Sequence, residues 1–190
     1  DGSTDGTREI LRAIDFPGVK VLFHDANKGK GAAIRTALAQ TSGDFVLIQD
    51  ADLEYDPVDY PALLAPLLDG RADVVYGSRF LGGPHRVLLF WHYFANSIFT
   101  LLANMLYNIN LTDMGTGYKV FATDKLKEIV LRSNRFGFEP EVTAKIGKRK
   151  LRIYEVPVSY SGRTYAEGKK ITWKDGLTYF WCLLKYRVVD

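Results

Sequence analysis

Three carboxylates, Asp50, Asp52 and Glu54, follow directly on the apolar run Phe45-Val46-Leu47-Ile48, with Asp56 close behind. Like charges this close repel one another and resist burial, so something positive belongs among them. A hard divalent cation with oxygen ligands meets that need. Mg²⁺ or Mn²⁺ fits better than a soft-ligand metal, because no cysteine is near. Metal ligation by Asp50, Asp52 and Glu54 is therefore the leading reading. A helix opened by Asp56-Pro57 is the competing one, and it accounts for Asp56, and even for Glu54, without a metal.

Positive groups recur at other points of the chain. Asn27-Lys28-Gly29-Lys30-Gly31-Ala32-Ala33 sets two glycines and two lysines at an expected helix N-terminus, where free N–H groups and the helix dipole favour anions. The spacing is not that of a P-loop, and such loops also serve as plain turns. Arg79 and Arg86 flank the bend Gly82-Gly83-Pro84, and Arg163, Lys169 and Lys170 lie in a polar loop near the C-terminus. Arginine grips phosphate bidentately and lysine acts as a point charge. A cation on an acidic cluster, with arginine and lysine converging on it, is how a departing diphosphate is neutralised. His24, His85 and His92 share no spacing that would build a zinc site or serve a nucleophile.

The elements that must position these groups alternate in the α/β manner. Helices are expected over 7–14, 31–40, 57–68, 124–131, 140–146 and 173–186, and strands over 19–24, 45–49, 74–76, 118–121 and 151–160. Strands separated by helices of this length imply a mainly parallel sheet flanked by helices, whose ligands sit beyond the carboxyl ends of the strands. From Val87 through Thr112 there is no Asp, Glu, Lys or Arg, while His92, Asn96, Thr100, Asn104 and Asn108 recur every fourth residue. That polar stripe favours an amphipathic helix over a lipid-spanning one. Such a helix either lies on a membrane surface or packs on the domain as an ordinary core helix.

With 190 residues, 47% hydrophobic and 25% charged, the chain reads as one soluble globular domain over 1–190. Its single cysteine, Cys182, excludes an internal disulfide, and cytoplasm is the default compartment. It opens at Asp1-Gly2-Ser3-Thr4-Asp5-Gly6-Thr7 without an initiator Met, and reads as a fragment whose first strand is missing. The net charge of +3 hides an asymmetry: 14 Lys/Arg face 18 Asp/Glu up to Ala144, and 11 face 4 from Lys145 onward. A basic C-terminal third suits phosphates or an anionic membrane face, or is simply a solvated surface. Trp173, Tyr179, Phe180 and Trp181 fall at helical spacing and read as core before base-stacking platforms, so no nucleic-acid partner is expected.

The motifs Asp1 to Thr7, Asn27 to Ala33, Asp50-Ala51-Asp52, Gly77-Ser78-Arg79 and Thr112-Asp113-Met114-Gly115-Thr116-Gly117-Tyr118-Lys119, in this order, resemble family-2 glycosyltransferases of the GT-A (Rossmann-like) fold. The set is most similar to the branch of dolichyl-phosphate mannose synthases and bacterial polyprenyl-phosphate sugar transferases. Phe136-Gly137-Phe138-Glu139-Pro140-Glu141, Glu155-Val156-Pro157 and Arg163 to Lys170 extend the resemblance almost to the end. It implies inverting transfer of a mannose- or glucose-type sugar from a GDP- or UDP-sugar to a polyprenyl or dolichyl phosphate. Asp50 and Asp52 would hold Mg²⁺ or Mn²⁺ on the donor diphosphate, with Glu54 assisting. Asp1, beside the Lys30 loop, would bind the nucleoside, and Arg163 and Lys170 would close over the diphosphates. Arg79 and Arg86 are the candidates for the acceptor phosphate. Asp52, Asp113 and Arg79 are the expected catalytic group, Asp113 orienting rather than acting as base. Gly115 stands where relatives often carry Glu. The protein would sit peripherally on the inner face of the membrane, through the segment after Arg86 and the basic third. Two alternatives stand beside this reading: a same-fold transferase with a glycan hydroxyl acceptor, for which a general base is needed, and a non-catalytic nucleotide-sugar-binding domain.

Overall fold

The computed structural model describes residues 1–87, 89–168 and 173–190. Its sheet has four strands, β1 (Phe45–Ile48), β2 (Val74–Ser78), β3 (Lys119–Ala122) and β4 (Ile153–Pro157), in the spatial order β1-β3-β2-β4. β3 runs antiparallel to both β1 and β2, while β2 and β4 are parallel. Three of these four strands thus share one direction, in line with the expected mainly parallel sheet, and β3 opposes them, which makes the sheet mixed.

Successive strand side chains face opposite sides, and the two sides gather separate cores. Val74, Tyr76 and Phe121 pack with the helices α4 (Phe90–Tyr107), α6 (Phe138–Lys148) and α7 (Trp173–Val188). Val75 and Val120 pack with Leu63 and Leu67 of α3 (Tyr60–Leu68). That helix is entered through a 3-10 turn, Pro57–Asp59, whose cap is the expected Asp56, its Oδ1 accepting from the Val58 N–H at 2.9 Å. The helix expected over 124–131 is shorter, α5 (Thr123–Lys127).

The strand expected over 19–24 does not form. No described strand pairs with it, and Val19, Leu22 and Phe23 are exposed. An extended segment without a neighbour leaves its ladder groups to water and its apolar side chains uncovered. Phe23 instead lies under the guanidinium groups of Arg8 and Arg12, both on α1 (Thr7–Arg12).

The polar stripe of α4 points inward. Asn104 donates to the Leu111 carbonyl at 2.8 Å and accepts from its N–H at 2.9 Å, Thr100 accepts from the Met114 N–H at 3.1 Å, and Asn96 donates to Asp113 at 3.0 Å. Ala103 and Tyr107 sit in the core beside that stripe, and further apolar residues turn outward: Phe90, Trp91, Phe94, Ile98, Leu101 and Met105 are all exposed, Trp91 at 73% and Met105 at 74%. Among the described residues no helix is long and apolar enough to cross a membrane.

On the same side of the sheet as α4, α6 and α7, α2 (Lys30–Leu38) starts in the glycine loop and is held by the turn before α6. Buried Glu141, paired with Lys145 at 2.8 Å, accepts the N–H groups of Arg132 and Ser133 and fixes that turn. Gly31 lies so close that a Cβ there would stand 2.2 Å from the Ser133 carbonyl oxygen. Gly31→Ala is therefore expected to destabilise the fold by about 1–3 kcal/mol through overpacking against immovable backbone. Chemical denaturation checks this, and an unchanged midpoint would contradict the close approach.

Candidate active site

The carboxyl ends of β1, β2 and β4 bring the candidate residues to one edge of the sheet. Asp50 and Asp52 leave β1, Arg79 leaves β2, and Tyr160 and Arg163 follow β4. The loop 113–117 that enters β3 runs among them. A Cβ on Gly117 would stand 2.8 Å from Asp50 Oδ2, and one on Gly115 would stand 3.7 Å from Arg79 Nη2 and 2.3 Å from Asn96 Oδ1. A side chain at 115 would have to displace the Asn96 amide, which donates to Asp113.

Each acidic residue of the opening cluster has a cationic partner. Asp50 Oδ2 receives Lys30 Nζ at 2.7 Å, and Lys30 also reaches Glu139 Oε1 at 3.0 Å. Burial works against the charge of Lys30, yet Glu139 and Asp50 outweigh it and hold its pKa above the ordinary lysine value. Arg163 joins the other two, Nη2 to Asp52 at 2.8 Å and Nε to Glu54 at 3.1 Å. Glu54 also accepts the Arg163 N–H and the Tyr160 hydroxyl. Burial pushes its pKa up, but these hydrogen bonds keep the carboxyl below its usual range.

Among the described residues no three Asp, Glu, His or Cys side chains converge as a metal cage. Asp52 and Glu54 share Arg163, whereas Asp50 stands on Lys30. The donor set nevertheless fits Mg²⁺ or Mn²⁺ in kind. Asp50 and Asp52 offer hard oxygens, their side chains 29% and 27% exposed, beside cations that already balance their charge.

A second cluster surrounds Asp113, which is fully buried. Arg79 clasps it bidentately, Nε to Oδ2 at 2.6 Å and Nη2 to Oδ1 at 2.7 Å, and Asn96 completes the set. Arg79 is flanked by the rings of Phe80 and Tyr160 at 5.4 and 5.1 Å. Glu155 of β4 accepts the Thr112 and Asp113 N–H groups and so anchors the start of the loop. Burial raises the Glu155 pKa despite those bonds.

Two further candidates, Asp1 and Arg86, are held by neighbouring residues away from the Arg79 cluster. Asp1 spans His24, at 2.6 Å, and the N–H groups of Lys28 and Gly29 at 3.0 and 2.7 Å, which ties it to the Lys30 loop. Arg86 pairs with Glu167 at 2.9 Å and touches the Gly162 carbonyl next to Arg163, not the Arg79 cluster. Lys170 lies outside the described residues, as does Lys169.

Glu139, Tyr160, Asn96 and Lys119 join the site without a role expected from sequence. Asn96 stands out there only in the polar stripe of α4, Lys119 and Glu139 only as members of longer motifs, and Glu139 also as an acidic residue in the first turn of α6. Its Oε2 is buried and has no hydrogen-bond partner among the described residues. Lys119 is 1% exposed, and burial lowers its pKa to about 7 against the nearby Glu139. An unfolded lysine keeps its proton up to about 10.5, so between pH 7 and 10.5 the unfolded state binds the extra proton. Stability is therefore expected to rise with pH across that window and to be lost again as pH falls through 7. Denaturation at several pH values checks this: Lys119→Met should flatten the slope, and an unaltered slope would contradict it.

Solved structures of similar fold define the class first. Mycobacterium tuberculosis glucosyl-3-phosphoglycerate synthase with UDP is 22% identical, with a TM-score of 0.70 over 100% of this chain and 67% of that one. The same enzyme with Mn²⁺, UDP-glucose and phosphoglyceric acid is also 22% identical, with a TM-score of 0.66 over 100% and 67% of the two chains. The fold is thus the GT-A fold. The model of Glycosyl transferase family 2 matches residues 1–130, and the chain belongs to that family. Curated relatives include the low-salt glycan biosynthesis hexosyltransferase Agl6 of Haloferax volcanii, 32% identical over 86% of this chain and 39% of its own length. Glycosyltransferase AglJ of the same organism is 30% identical over 85% and 52%. Undecaprenyl-phosphate mannosyltransferase of Micrococcus luteus is 29% identical over 89% and 72%. The chain therefore spans about two fifths and one half of the two Haloferax relatives.

Proposed function

We propose that this chain carries the catalytic site of an enzyme that moves a mannose- or glucose-type sugar from a GDP- or UDP-sugar to a polyprenyl phosphate, with inversion. The observation that carries the choice of acceptor is the state of Asp113. Both its oxygens are taken by Arg79 and Asn96, and it is fully buried. A carboxylate so engaged is a poor base for a hydroxyl, but it is well suited to holding a guanidinium for an anion. Two of the five Arg79 N–H donors go to Asp113 from the side chain, leaving others for a phosphate.

A phosphomonoester has its second pKa near ~6, so the acceptor oxygen is an anion at neutral pH and needs no strong base. One of its oxygens attacks the anomeric carbon, and the bond to the diphosphate breaks with the electron pair leaving on the diphosphate. Asp50 and Asp52, with Glu54 in support, would hold a Mg²⁺ or Mn²⁺ that takes up part of that charge. Lys30 and Arg163 stand beside those carboxylates and are placed to follow the negative charge onto the leaving group. Asp1 and the Lys30 loop would receive the nucleoside, and Arg163 and Lys170 would close over the diphosphate. Arg86, held by Glu167, would serve the acceptor only after that pair opens. The Micrococcus relative, named for undecaprenyl phosphate, supports the acceptor class.

A polyprenyl acceptor is bound in a membrane, and the exposed apolar residues of α4 support a membrane-facing role for that helix. Its polar stripe is spent on the protein, so the exposed aromatic face is free to enter an interface on the cytoplasmic side. The basic C-terminal third adds attraction to anionic lipid. Radiolabelled GDP- and UDP-sugars mixed with a short polyprenyl phosphate test the reading. Label should pass into the organic phase only when Mg²⁺ or Mn²⁺ is present. Label entering a glycan, or donor bound without turnover, would replace it with one of the two alternatives.

A further inference from the structure

We infer that Lys119 is a positioning residue: its buried side chain locks the loop 113–117, and through it the Arg79–Asp113 pair, into register with the donor carboxylates. Lys119 Nζ donates to the Met114 carbonyl at 3.0 Å and to the Thr116 carbonyl at 2.5 Å, spanning the loop from inside. Its described hydrogen bonds go to those two carbonyls and not to a carboxylate, although it is 1% exposed. Its ammonium rests instead on the Tyr76 ring, 4.5 Å from the centroid. Burying an amine here is costly whether it is charged or neutral, and an apolar side chain of similar shape would fill the same space without that cost.

The loop has a use for it. Between Asp113, which clasps Arg79, and Gly117, where an added Cβ would stand 2.8 Å from Asp50 and whose N–H donates to Tyr55 at 2.8 Å, lie the two carbonyls that Lys119 gathers. The charged groups facing Lys119 come from both halves of the site: Glu139 and Lys30 from the donor side, Asp113 and Arg79 from the acceptor side. Met114, whose carbonyl Lys119 holds, gives its N–H to Thr100 of α4, so the loop is fixed from two directions. Releasing the Lys119 side lets the Asp113 end move while Asp50 and Lys30 keep their own contact.

The kinetic arm of the test rests on the sugar-transfer reading; the exchange arm does not. Lys119→Met, which keeps length but removes the donor, and Lys119→Gln, which keeps an N–H donor, are compared with the unaltered protein after circular dichroism confirms folding. Lys119→Met is expected to lower kcat at least about tenfold and raise KM for the polyprenyl phosphate. The Kd for UDP or GDP should stay within about twofold, and Lys119→Gln should recover part of the loss. Kinetic constants within twofold of the parent, or an equal loss in nucleotide binding, would overturn the inference. If Lys119→Met does not fold, Lys119→Gln carries the same comparison. Should the unaltered protein transfer no sugar to any polyprenyl phosphate, the proposed function falls, and amide hydrogen exchange at residues 113–117 decides on Lys119. Exchange there should quicken about tenfold in the variants, and unchanged exchange overturns the inference.

Discussion

Replacing Asp50 and Asp52 together by asparagine is expected to slow sugar transfer by about 10²- to 10³-fold, the scale lost when a preorganised group facing developing charge is removed. Amides keep the shape and the polar contacts of the cluster but shed two negative charges. Lys30 would retain Glu139 at 3.0 Å and Arg163 would retain Glu54 at 3.1 Å, so the surrounding framework stays paired. The deficit should therefore fall on catalysis and metal-dependent nucleotide binding, not on folding. Initial rates over a range of Mn²⁺ concentrations measure it. A variant that merely needs more metal places the loss in ion affinity, and one that transfers sugar at the parent rate removes these carboxylates from the mechanism.

Arg79→Ala should have the largest effect on stability. It leaves a fully buried Asp113 with Asn96 as its remaining side-chain partner. Stranding one member of a buried ion pair costs on the order of 3–5 kcal/mol. Arg79→Lys separates function from folding. The charge stays, but the two-pronged clasp on Asp113 is lost, and a point charge replaces a fork toward the acceptor phosphate. Hydrogen bonds to charged groups contribute roughly 1.5–3 kcal/mol, so kcat/KM for polyprenyl phosphate should fall about 10- to 100-fold with nucleotide affinity unchanged. Steady-state kinetics with the acceptor varied check this, and a loss confined to the donor KM would move Arg79 to the other half of the site.

What the sequence made legible was local. Asp56 ahead of Pro57 marked a helix start, and Asp50 at the end of an apolar run marked the edge of a sheet; both are decided by neighbours within a few residues. The period of α4 was legible too, but not its direction. A stripe of polar residues every fourth position defines a face without saying whether water or protein lies against it, and here Asn96, Thr100 and Asn104 serve the loop 111–114. The reversed direction of β3 and the failure of 19–24 to form a strand depend on which segments lie side by side, and no short window encodes that. Lys119 was hidden for a related reason. A lysine ending a motif reads as surface charge, and only the burial of β3 between two other strands turns it inward.

Calorimetric titration of UDP and GDP, with and without Mn²⁺ or Mg²⁺, against the parent protein and the Asp50→Asn/Asp52→Asn variant, addresses the role of the acidic cluster most directly. At least one nucleotide should bind the parent about tenfold more tightly or better when the metal is present, and that gain should vanish in the variant. Equal affinity with metal and with chelator, or a gain that survives the loss of both carboxylates, would contradict the assignment.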